Sequence, residues 1–337
     1  MSGRRGSGPA ILTEGLARRF GDVTALAGID LRVEAGTVLG LLGPNGAGKT
    51  TAVRILSTIL QPDAGRAEVL GFDVVRETAE VRARIGLAGQ YAAIDGNLTG
   101  RENLRLIGRL THLPRGEVRR RAAELLDAFG LTEAADRPAK TYSGGMRRRL
   151  DLAAALVHRP PVVFLDEPTT GLDPASRSDL WRVVEDLVDG GTTVLLTTQY
   201  LEEADRLADR IVVIDRGSAI AEGTAAELKR RLGATIMEFG MEDGASAWAA
   251  AAALRDLDLN DVAVDDQRVS ATVEEGAGAM LVALRAFDAA GLSPQTAGIR
   301  EPTLDDVFLS LTGRRAEGEE IEEAAPAGAG ARERSAA

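Results

Sequence analysis

The stretch that decides the fold is "GLLGPNGAGKTTAVRIL", Gly40 to Leu56. It contains the pattern G-x-x-x-x-G-K-[ST], and the residues predicted to line a binding loop here are Gly43, Pro44, Asn45, Gly46, Ala47, Gly48, Lys49, Thr50 and Thr51. An apolar strand precedes the pattern and a helix is expected from about Lys49, which is the context that a phosphate-binding loop requires. Its glycines let backbone N–H groups surround phosphate oxygens, while Lys49 reaches the outer phosphates and the Thr50 hydroxyl binds Mg²⁺. The stretch therefore predicts a nucleotide site, with a Gly-rich turn between a strand and a helix as the alternative.

Short apolar runs recur on both sides of this loop and alternate with amphipathic helices. They are "TVLGLLG", "ARIGLAG", "PVVFLDE", "TTVLLTT" and "RIVVID". Apolar strands joined through helices are typical of a mainly parallel sheet that is covered on both faces. We therefore expect an α/β domain over residues 10–232.

The segment from about residue 97 to residue 158 differs, because strand signals are missing from it. Thr99 with Glu102 forms a capping-box pattern, and a second helix is expected from Gly116 to Phe129. We interpret this segment as an all-helical subdomain. The two histidines of the chain, His112 and His158, lie in it and are interpreted as structural.

The remaining segments fall outside this domain. Strand-like and helical patterns alternate again after Leu232 and predict a small C-terminal α/β domain over residues 233–313. Residues 1–9 are rich in Gly, Ser and Arg, and residues 314–337 have almost no bulky apolar side chains. We expect a disordered arm and a disordered tail at these two ends.

Composition excludes several classes of function. Cysteine is absent, which excludes disulfides, zinc–thiolate sites and thiol nucleophiles. A net charge of -11 argues against a broad nucleic-acid surface, so no nucleic-acid partner is expected. No apolar run approaches the ~18 to 20 residues of a transmembrane helix, and "MSGRRGSGPA" lacks the apolar stretch of a signal peptide. We expect a soluble cytoplasmic protein whose membrane role would come through a partner.

Two carboxylates end one of the apolar strands, where Val162 to Leu165 is followed by Asp166 and Glu167. Two like charges at the end of a buried strand are costly unless a cation or ligand faces them. A nucleotide-bound Mg²⁺ would supply that charge. We expect Asp166 to serve Mg²⁺ and Glu167 to polarise the water that attacks the γ-phosphate. The alternative is a solvated strand end.

A second helix start with phosphate-binding character lies in "TYSGGMRRRLDLAAALV", at Ser143, Gly144 and Gly145. Serine is a good N-cap, the glycines expose backbone donors, and the helix dipole favours an anion. Taken alone, "SGG" also fits a plain helix cap.

Four motifs in this order resemble those of the ATP-binding-cassette (ABC) ATPases. They are "GPNGAGKT", Gln90 in "LAGQYAAID", "YSGGMRRRL" and "VVFLDEPTTGLD". The resemblance covers about Ile11 to Glu227 and implies a P-loop NTPase fold of the ABC type that hydrolyses MgATP. It implies a head-to-tail homodimer in which Ser143 to Gly145 of one chain close over ATP held by the other. It also implies a separate polytopic membrane permease, which would hold the chain at the inner face of the cell membrane.

The same resemblance implies roles for three further residues. Gln90 would sense Mg²⁺ and lead into the helical subdomain, the part that touches the membrane subunit in transporters; a surface glutamine is the alternative. Asp173 in "TGLDP" matches the loop that crosses the dimer interface, and with Pro174 it is also a good helix start. Phe20 in "RRFGDVTAL" matches the aromatic residue that stacks on adenine, with an ordinary core phenylalanine as the alternative.

Gln199, which follows the run "TTVLLTT", departs from the family pattern. Most cassette ATPases have a histidine there that contacts the γ-phosphate. Glutamine donates a hydrogen bond through its amide but does not titrate, so phosphate positioning survives and proton transfer does not. The catalytic residues expected are therefore Glu167, Gln199 and Lys49, and the metal-site residues Thr50, Gln90 and Asp166. The alternative is that hydrolysis is weak or lost.

Two longer stretches, "TTQYLEEADRLADRIVVIDRG" and "EPTLDDVFLSLTG", resemble the ATP-binding subunits of daunorubicin/doxorubicin-resistance exporters. The second places Leu304, Val307, Phe308 and Leu311 on one helix face, with Thr303 and Asp306 as a capping pair. The resemblance implies a C-terminal domain that helps assembly or regulation.

The function that this second resemblance implies is export of a hydrophobic drug or antibiotic. A cassette ATPase acting on DNA or ribosomes is disfavoured, because the chain has no long heptad insertion or second cassette and is negatively charged. Uptake, or a lipid or peptide cargo, is left open.

Overall fold

The computed structural model describes residues 8–89, 94–232, 235–257, 259–273 and 276–312. Gln90, most of the predicted arm and all of the predicted tail lie outside the described residues. The strands are β1 (Ile11–Phe20), β2 (Val23–Val33), β3 (Val38–Leu42), β4 (Ala64–Val69), β5 (Phe72–Asp73), β6 (Ile85–Ala88), β7 (Val162–Asp166), β8 (Thr193–Thr198), β9 (Arg210–Asp215), β10 (Ser218–Gly223), β11 (Thr235–Gly240), β12 (Asn260–Asp265), β13 (Arg268–Val273) and β14 (Thr296–Arg300). The helices are α1 (Lys49–Leu56), α2 (Thr78–Arg82), α3 (Gly100–Leu110), α4 (Arg115–Ala128), α5 (Gly144–Ala155), α6 (Pro174–Asp189), α7 (Leu201–Leu207), α8 (Ala225–Arg230), α9 (Gly244–Arg255), α10 (Gly276–Ala289) and α11 (Leu304–Thr312). In the part of the chain that the structure describes, none of these helices has the length and apolar content needed to span a bilayer.

The main sheet has six strands in the order β10-β9-β3-β8-β7-β6. Five of them run parallel, and β10 pairs antiparallel with β9 at one edge. Strands β3, β7 and β8 are buried along their whole length, which explains why their sequences are continuous apolar runs rather than alternating ones. The predicted α/β fold with a mainly parallel sheet is confirmed. Parallel strands bring their carboxyl ends to one edge, where ligands of such folds bind.

A second sheet, which the sequence analysis did not predict, is antiparallel and has the order β2-β1-β4-β5. The pairing of β1 with β2 shifts register between Thr13 and Leu16 and again beyond it. Such shifts break the alternation of apolar and polar residues by which a half-buried strand is found in a sequence. The buried side of this sheet shares one core with α1 and the main sheet, and this packing fixes the helix that follows the phosphate loop.

Between β6 and β7 the chain forms the helices α3, α4 and α5, and no strand occurs from residue 97 to residue 158, all of which the structure describes. The predicted capping box at the start of α3 is present, since the Glu102 N–H donates to Thr99 Oγ1 and the Thr99 N–H donates to Glu102 Oε2. His158, near the end of this segment, lies 3.0 Å through Nε2 from the Ile85 carbonyl, and burial lowers its pKa. This packed position fits the structural role expected for it.

The C-terminal unit follows the order β11-α9-β12-β13-α10-β14 and forms an antiparallel sheet with the strand order β12-β13-β11-β14. This is a β-α-β-β-α-β arrangement of the ferredoxin-like kind. Its own core lies between the sheet and the two helices and includes Phe239 against Phe287, with ring centres 4.8 Å apart. The predicted C-terminal α/β fold is thus present.

Helix α11 leaves this unit and packs onto α7 and α8. Leu304, Val307 and Phe308 are buried there in a shared apolar cluster, and Thr303 and Asp306 form the predicted capping pair. Leu311, on the same face by spacing, is less buried than the other three. Leu311 lies in the last turn of the helix and is 42% exposed.

Candidate functional site

The phosphate loop connects β3 to α1, and two of its glycines have no room for a side chain. A Cβ on Gly43 would lie 2.2 Å from the Ile214 carbonyl oxygen. Gly48 has a φ of +109°, and a Cβ there would lie 2.3 Å from the Ala25 carbonyl oxygen. Gly48 is also the N-cap of α1 and offers no side-chain cap, so the first N–H groups of the helix are available to an anion.

Lys49 is the first residue of α1, and its side chain is buried in the site. Its ammonium donates to the carbonyl oxygens of Gly43 at 2.6 Å and Pro44 at 3.1 Å, and lies 3.3 Å from Glu167 Oε1. A buried cation of this kind requires acceptors around it. The ion pair with Glu167 joins the phosphate loop to the end of β7.

One carboxylate oxygen of Asp166, at the end of β7, accepts hydrogen bonds from two hydroxyl groups. Thr50 Oγ1 donates to Asp166 Oδ1 at 3.1 Å, and Thr197 Oγ1 donates to the same atom at 2.6 Å. The structure thus brings together Thr50 and Asp166, the two described residues that the sequence assigned to a metal. The role of Thr197, at the carboxyl end of β8, was missed; its only signal is its position two residues before Gln199.

Glu167 stands in a backbone conformation that a glutamate rarely adopts, with a φ of +50°. Its N–H donates to both the carbonyl oxygen and Oγ1 of Thr197, each at 3.1 Å, and Thr170 Oγ1 lies 3.4 Å from Glu167 Oε2. Residues held in this region cluster at functional sites, where the surrounding structure must maintain them. The carboxylate is consequently fixed beside Lys49 rather than free to rotate into solvent.

Arg148, on α5, was also missed from the sequence. Its guanidinium donates to four backbone carbonyl oxygens: those of Gly89, Asp166, Glu167 and Pro168. Burial lowers the pKa of Arg148, and Asp151, with a carboxylate oxygen 3.9 Å from Nη1, opposes this shift. The side chain therefore ties α5 to the ends of β6 and β7.

Gln199 follows β8 directly, and its side-chain oxygen is buried without a hydrogen-bond partner among the described residues. Oxygen and nitrogen of an amide are assigned from their partners, so this unpaired position could equally hold the donating nitrogen. A buried polar atom without a partner costs free energy unless a ligand supplies one. The geometry therefore leaves one amide atom of Gln199 available to a bound group.

Glu203, one turn into α7, is fully buried and accepts a hydrogen bond from Trp181 Nε1 at 3.2 Å. Burial raises the pKa of this carboxyl group, and hydrogen bonds only partly oppose the shift.

Ser143, Gly144 and Gly145 lie at the start of α5, where Ser143 Oγ accepts the Met146 N–H at 3.2 Å. Asp173 caps α6 in the same way and accepts from the N–H and hydroxyl of Ser176. The hydroxyl of Ser176 is 3.2 Å from where a Cβ on Gly145 would lie, so the two helix starts are neighbours. Ser143, Gly144 and Asp173 are exposed, and the starts of both helices face outward.

Phe20 is 46% exposed, which excludes the alternative of an ordinary core phenylalanine. The guanidinium of Arg18 lies 5.0 Å from the centre of its ring. Phe20 lines a cavity of about 420 Å³ that also reaches Arg54, Gly89 and Asp166. An aromatic face and a carboxylate thus border one cavity, an arrangement suited to a ligand with an aromatic base and a cation-bound phosphate.

The oxygen atoms of Thr50 and Asp166 suit Mg²⁺ better than a metal ion that protein side chains hold by themselves. In the part of the chain that the structure describes, no group of three or more His, Asp or Glu side chains could hold a metal by itself. Mg²⁺ in nucleotide sites is held by one or two protein groups together with phosphates and water. Thr50 and Asp166 fit that requirement, and Gln90, the third predicted ligand, lies outside the described residues.

Comparison with known proteins matches residues 26–170 to the family described as "ABC transporter". The chain is 56% identical to the daunorubicin resistance ATP-binding protein DrrA3 of Streptomyces coeruleorubidus, over 90% of this chain and 96% of that protein. It is 50% identical to the daunorubicin/doxorubicin resistance ATP-binding protein DrrA of Streptomyces peucetius, over 94% of this chain and 96% of that protein. A solved structure described as an ATP binding subunit of an ABC transporter matches with a TM-score of 0.61 and 26% identity, over 66% of this chain and 92% of that one. The similarity to the two resistance proteins extends beyond the region that the solved structure matches.

Proposed function

The chain belongs to the ATP-binding proteins of ABC transporters, in the daunorubicin/doxorubicin-resistance group, and on this premise we propose that it drives export of a hydrophobic drug or antibiotic through a separate membrane subunit. ATP hydrolysis is the activity of this family, and the chain is an ATP hydrolase. The observation that carries the assignment of the site is the buried pair Asp166 and Glu167 at the end of β7, beside Lys49 of the phosphate loop.

In the proposed mechanism, each side chain has one task. Lys49 binds the outer phosphates, and its ammonium now donates to the main-chain carbonyl oxygens of Gly43 and Pro44 beside the phosphate site. Glu167 accepts the proton of the water that attacks the γ-phosphate, a contribution of about 10² to 10⁴ in rate for a general base. Gln199 holds a γ-phosphate oxygen through its amide but takes no proton. The backbone of the phosphate loop binds the phosphates, and Phe20 stacks on adenine.

We place Mg²⁺ at Thr50 and Asp166, whose oxygen atoms are 3.1 Å apart. When bound there, it would neutralise charge on the β- and γ-phosphates. The hydroxyl of Thr197, which donates to the same Asp166 oxygen, would hold that carboxylate in place. Gln90 is retained as a proposed third ligand.

Proteins of this family work as ATPase dimers with a membrane subunit. We propose the head-to-tail form of the dimer, in which Ser143, Gly144 and Gly145 close over the nucleotide of the other chain. The exposed starts of α5 and α6 support this form, because backbone N–H groups at a helix start attract phosphate. Asp173 would lie at the same interface.

We propose that the membrane subunit docks on the helical subdomain. Leu106 and Leu110, four residues apart on α3, are 42% and 67% exposed and support contact with an apolar partner there. The chain would then be a cytoplasmic protein held at the inner face of the membrane by its permease. For the cargo we propose an anthracycline-like compound, since the similar proteins are named for resistance to daunorubicin and doxorubicin.

For the organisation of the chain we propose a nucleotide-binding domain over residues 10–232, with its helical subdomain at about 97–158, and an accessory domain over residues 233–313. Separate apolar cores for residues 10–232 and for the unit from β11 to β14 support this division, while α11 at the end of the accessory domain packs onto α7 and α8. Disorder in the arm and the tail stays a prediction.

Transport tests this proposal directly. The chain is purified from membranes with the subunit that accompanies it, reconstituted in inverted vesicles, and supplied with MgATP and daunorubicin. We expect ATP-dependent accumulation of the drug, which Lys49→Ala abolishes while a surface control, Arg182→Gln, retains it. Co-purification with ribosomal RNA or DNA instead of a polytopic membrane protein would refute the exporter assignment. Accumulation of a lipid or peptide but not of the drug would refute the cargo alone.

A further inference from the structure

Arg148 holds main-chain atoms from two separate segments that meet at the candidate site. Its Nη1 donates to the Gly89 carbonyl at 2.6 Å, and its Nε donates to the Pro168 carbonyl at 2.7 Å. Its Nη2 donates to the carbonyls of Asp166 at 3.1 Å and Glu167 at 2.5 Å. Four of the five N–H groups of the guanidinium are thereby used.

These contacts fix the backbone on both sides of Glu167. Its N–H is held by Thr197 of β8, and the carbonyls of residues 166, 167 and 168 are held by Arg148. Glu167 has a φ of +50°, a conformation that persists only where its surroundings impose it. Arg148 and Thr197 are therefore the two side chains that impose it through hydrogen bonds to the backbone.

The same arginine belongs to the helix that starts with the exposed Ser143. Arg148 lies five positions after Ser143, which is about 7.5 Å along an α-helix. In the proposed dimer, the start of α5 binds the nucleotide of the other chain. A shift of α5 would thus be transmitted through a rigid turn and a half of helix to the carbonyls around Glu167.

We propose that Arg148 is a positioning residue that links closure of α5 over the nucleotide of the other chain to the placement of Glu167 in its own site. The proposal rests on the proposed head-to-tail dimer. Arg148 also holds the carbonyl of Gly89, the residue immediately before Gln90, which is the third proposed Mg²⁺ ligand.

The test compares steady-state ATP hydrolysis by the full chain and its Arg148→Gln variant. A displacement of about 1 Å in a reacting group costs about 10² in rate, so kcat should fall by that order. Any change in the KM for ATP should be smaller than the change in kcat, because none of the four Arg148 contacts is to Lys49 or Phe20, although Gly89 and Asp166 border the same cavity as Phe20. Arg148→Lys keeps the charge with three donors and should recover part of the lost kcat.

Arg121→Gln is the matched control. The side chains of Arg121 and Arg148 are 19% and 16% exposed, and Arg121 also donates to a main-chain carbonyl, that of Leu156. Its kcat should equal that of the native chain, while its thermal midpoint falls because a partly buried hydrogen bond is lost. If Arg148→Gln does not fold, Arg148→Lys replaces it, and a folded Arg148→Lys with native kcat would overturn the proposal.

A double-mutant cycle with Ser143→Ala tests the link itself. If α5 acts on Glu167 through Arg148, the loss in kcat caused by Ser143→Ala should be smaller in the Arg148→Gln background. Additive losses would overturn the link, and a folded Arg148→Gln with native kcat would overturn the positioning role. Absence of hydrolysis in the native chain would instead refute the proposed function, so the two failures are distinguishable.

Discussion

Replacement of Phe308 by alanine should weaken the packing of α11 against the nucleotide-binding part of the chain and lower the free energy of unfolding. The side chain of Phe308 is 2% exposed and lies in one apolar cluster with Leu201 of α7 and Leu228 of α8. Removal of a fully buried phenylalanine ring costs about 3 to 5 kcal/mol, which combines lost burial with the cavity left behind. We expect a loss of about 3 kcal/mol in the free energy of unfolding, the low end of this range, because Leu304 and Val307 of the same helix remain buried.

The assay is urea unfolding followed by the fluorescence of Trp181, which is buried in α6. A Trp248→Phe background leaves Trp181 as the only tryptophan of the chain, and Trp248 is exposed enough for its loss to matter little. Leu311→Ala on the same helix is the control, with an expected loss below about 1 kcal/mol because Leu311 is largely solvent-exposed. Equal small losses in both variants would refute the reasoning that α11 is joined to this part of the chain through Phe308.

Two further predictions concern buried polar groups next to the site. Burial raises the pKa of Glu203, so the folded chain keeps the proton of this carboxyl group to a higher pH than the unfolded chain does. The stability that this proton provides is complete below the unfolded pKa and is lost as pH rises through the folded pKa, by up to about 1.4 kcal/mol per pH unit. Glu203→Gln keeps an acceptor for Trp181, so its thermal midpoint relative to that of the native chain should rise as the pH increases above about 4.3, the ordinary pKa of a glutamate; a constant difference would contradict the assignment. Thr197→Val removes the hydroxyl that holds Asp166 and the Glu167 N–H, and should lower both kcat and stability, the latter by about 1 to 3 kcal/mol. Thr193→Val, on the same strand, should lose comparable stability but keep kcat, and equal kcat in the two variants would oppose the role given to Thr197.

The parts of the fold that could be predicted are those whose signals are local. The strands β3, β7 and β8 are apolar throughout because both sheet faces are covered, and the capping box at Thr99 marks the start of α3 without any distant contact. The antiparallel sheet could not be found in this way. Its strand β1 changes register next to Gly15, so the alternation of apolar and polar residues is interrupted.

The residues of the candidate site likewise divide into those with a local sequence signal and those without one. The residues of the phosphate loop are consecutive in sequence, and so are the carboxylates Asp166 and Glu167. The chemistry of each group can therefore be inferred from its own sequence neighbours. Arg148 could not be predicted, because its partners are backbone carbonyls from distant segments and any residue type provides a carbonyl. Gly43 was predicted from the loop pattern, but the steric reason that it must be glycine, the Ile214 carbonyl of another strand, could not be.

Single-turnover hydrolysis of MgATP near neutral pH tests the account's central point, that Glu167 is the base and that Gln199 suffices where most of the family has histidine. The native chain, Glu167→Gln and Gln199→His are compared, with the membrane subunit present. We predict that the native chain hydrolyses ATP and that Glu167→Gln binds ATP, forms a stable dimer and loses about 10² to 10⁴ in rate. Gln199→His should change the rate far less than Glu167→Gln does. If only Gln199→His hydrolyses ATP, glutamine does not suffice at position 199. If Glu167→Gln hydrolyses ATP at the native rate, Glu167 is not the base.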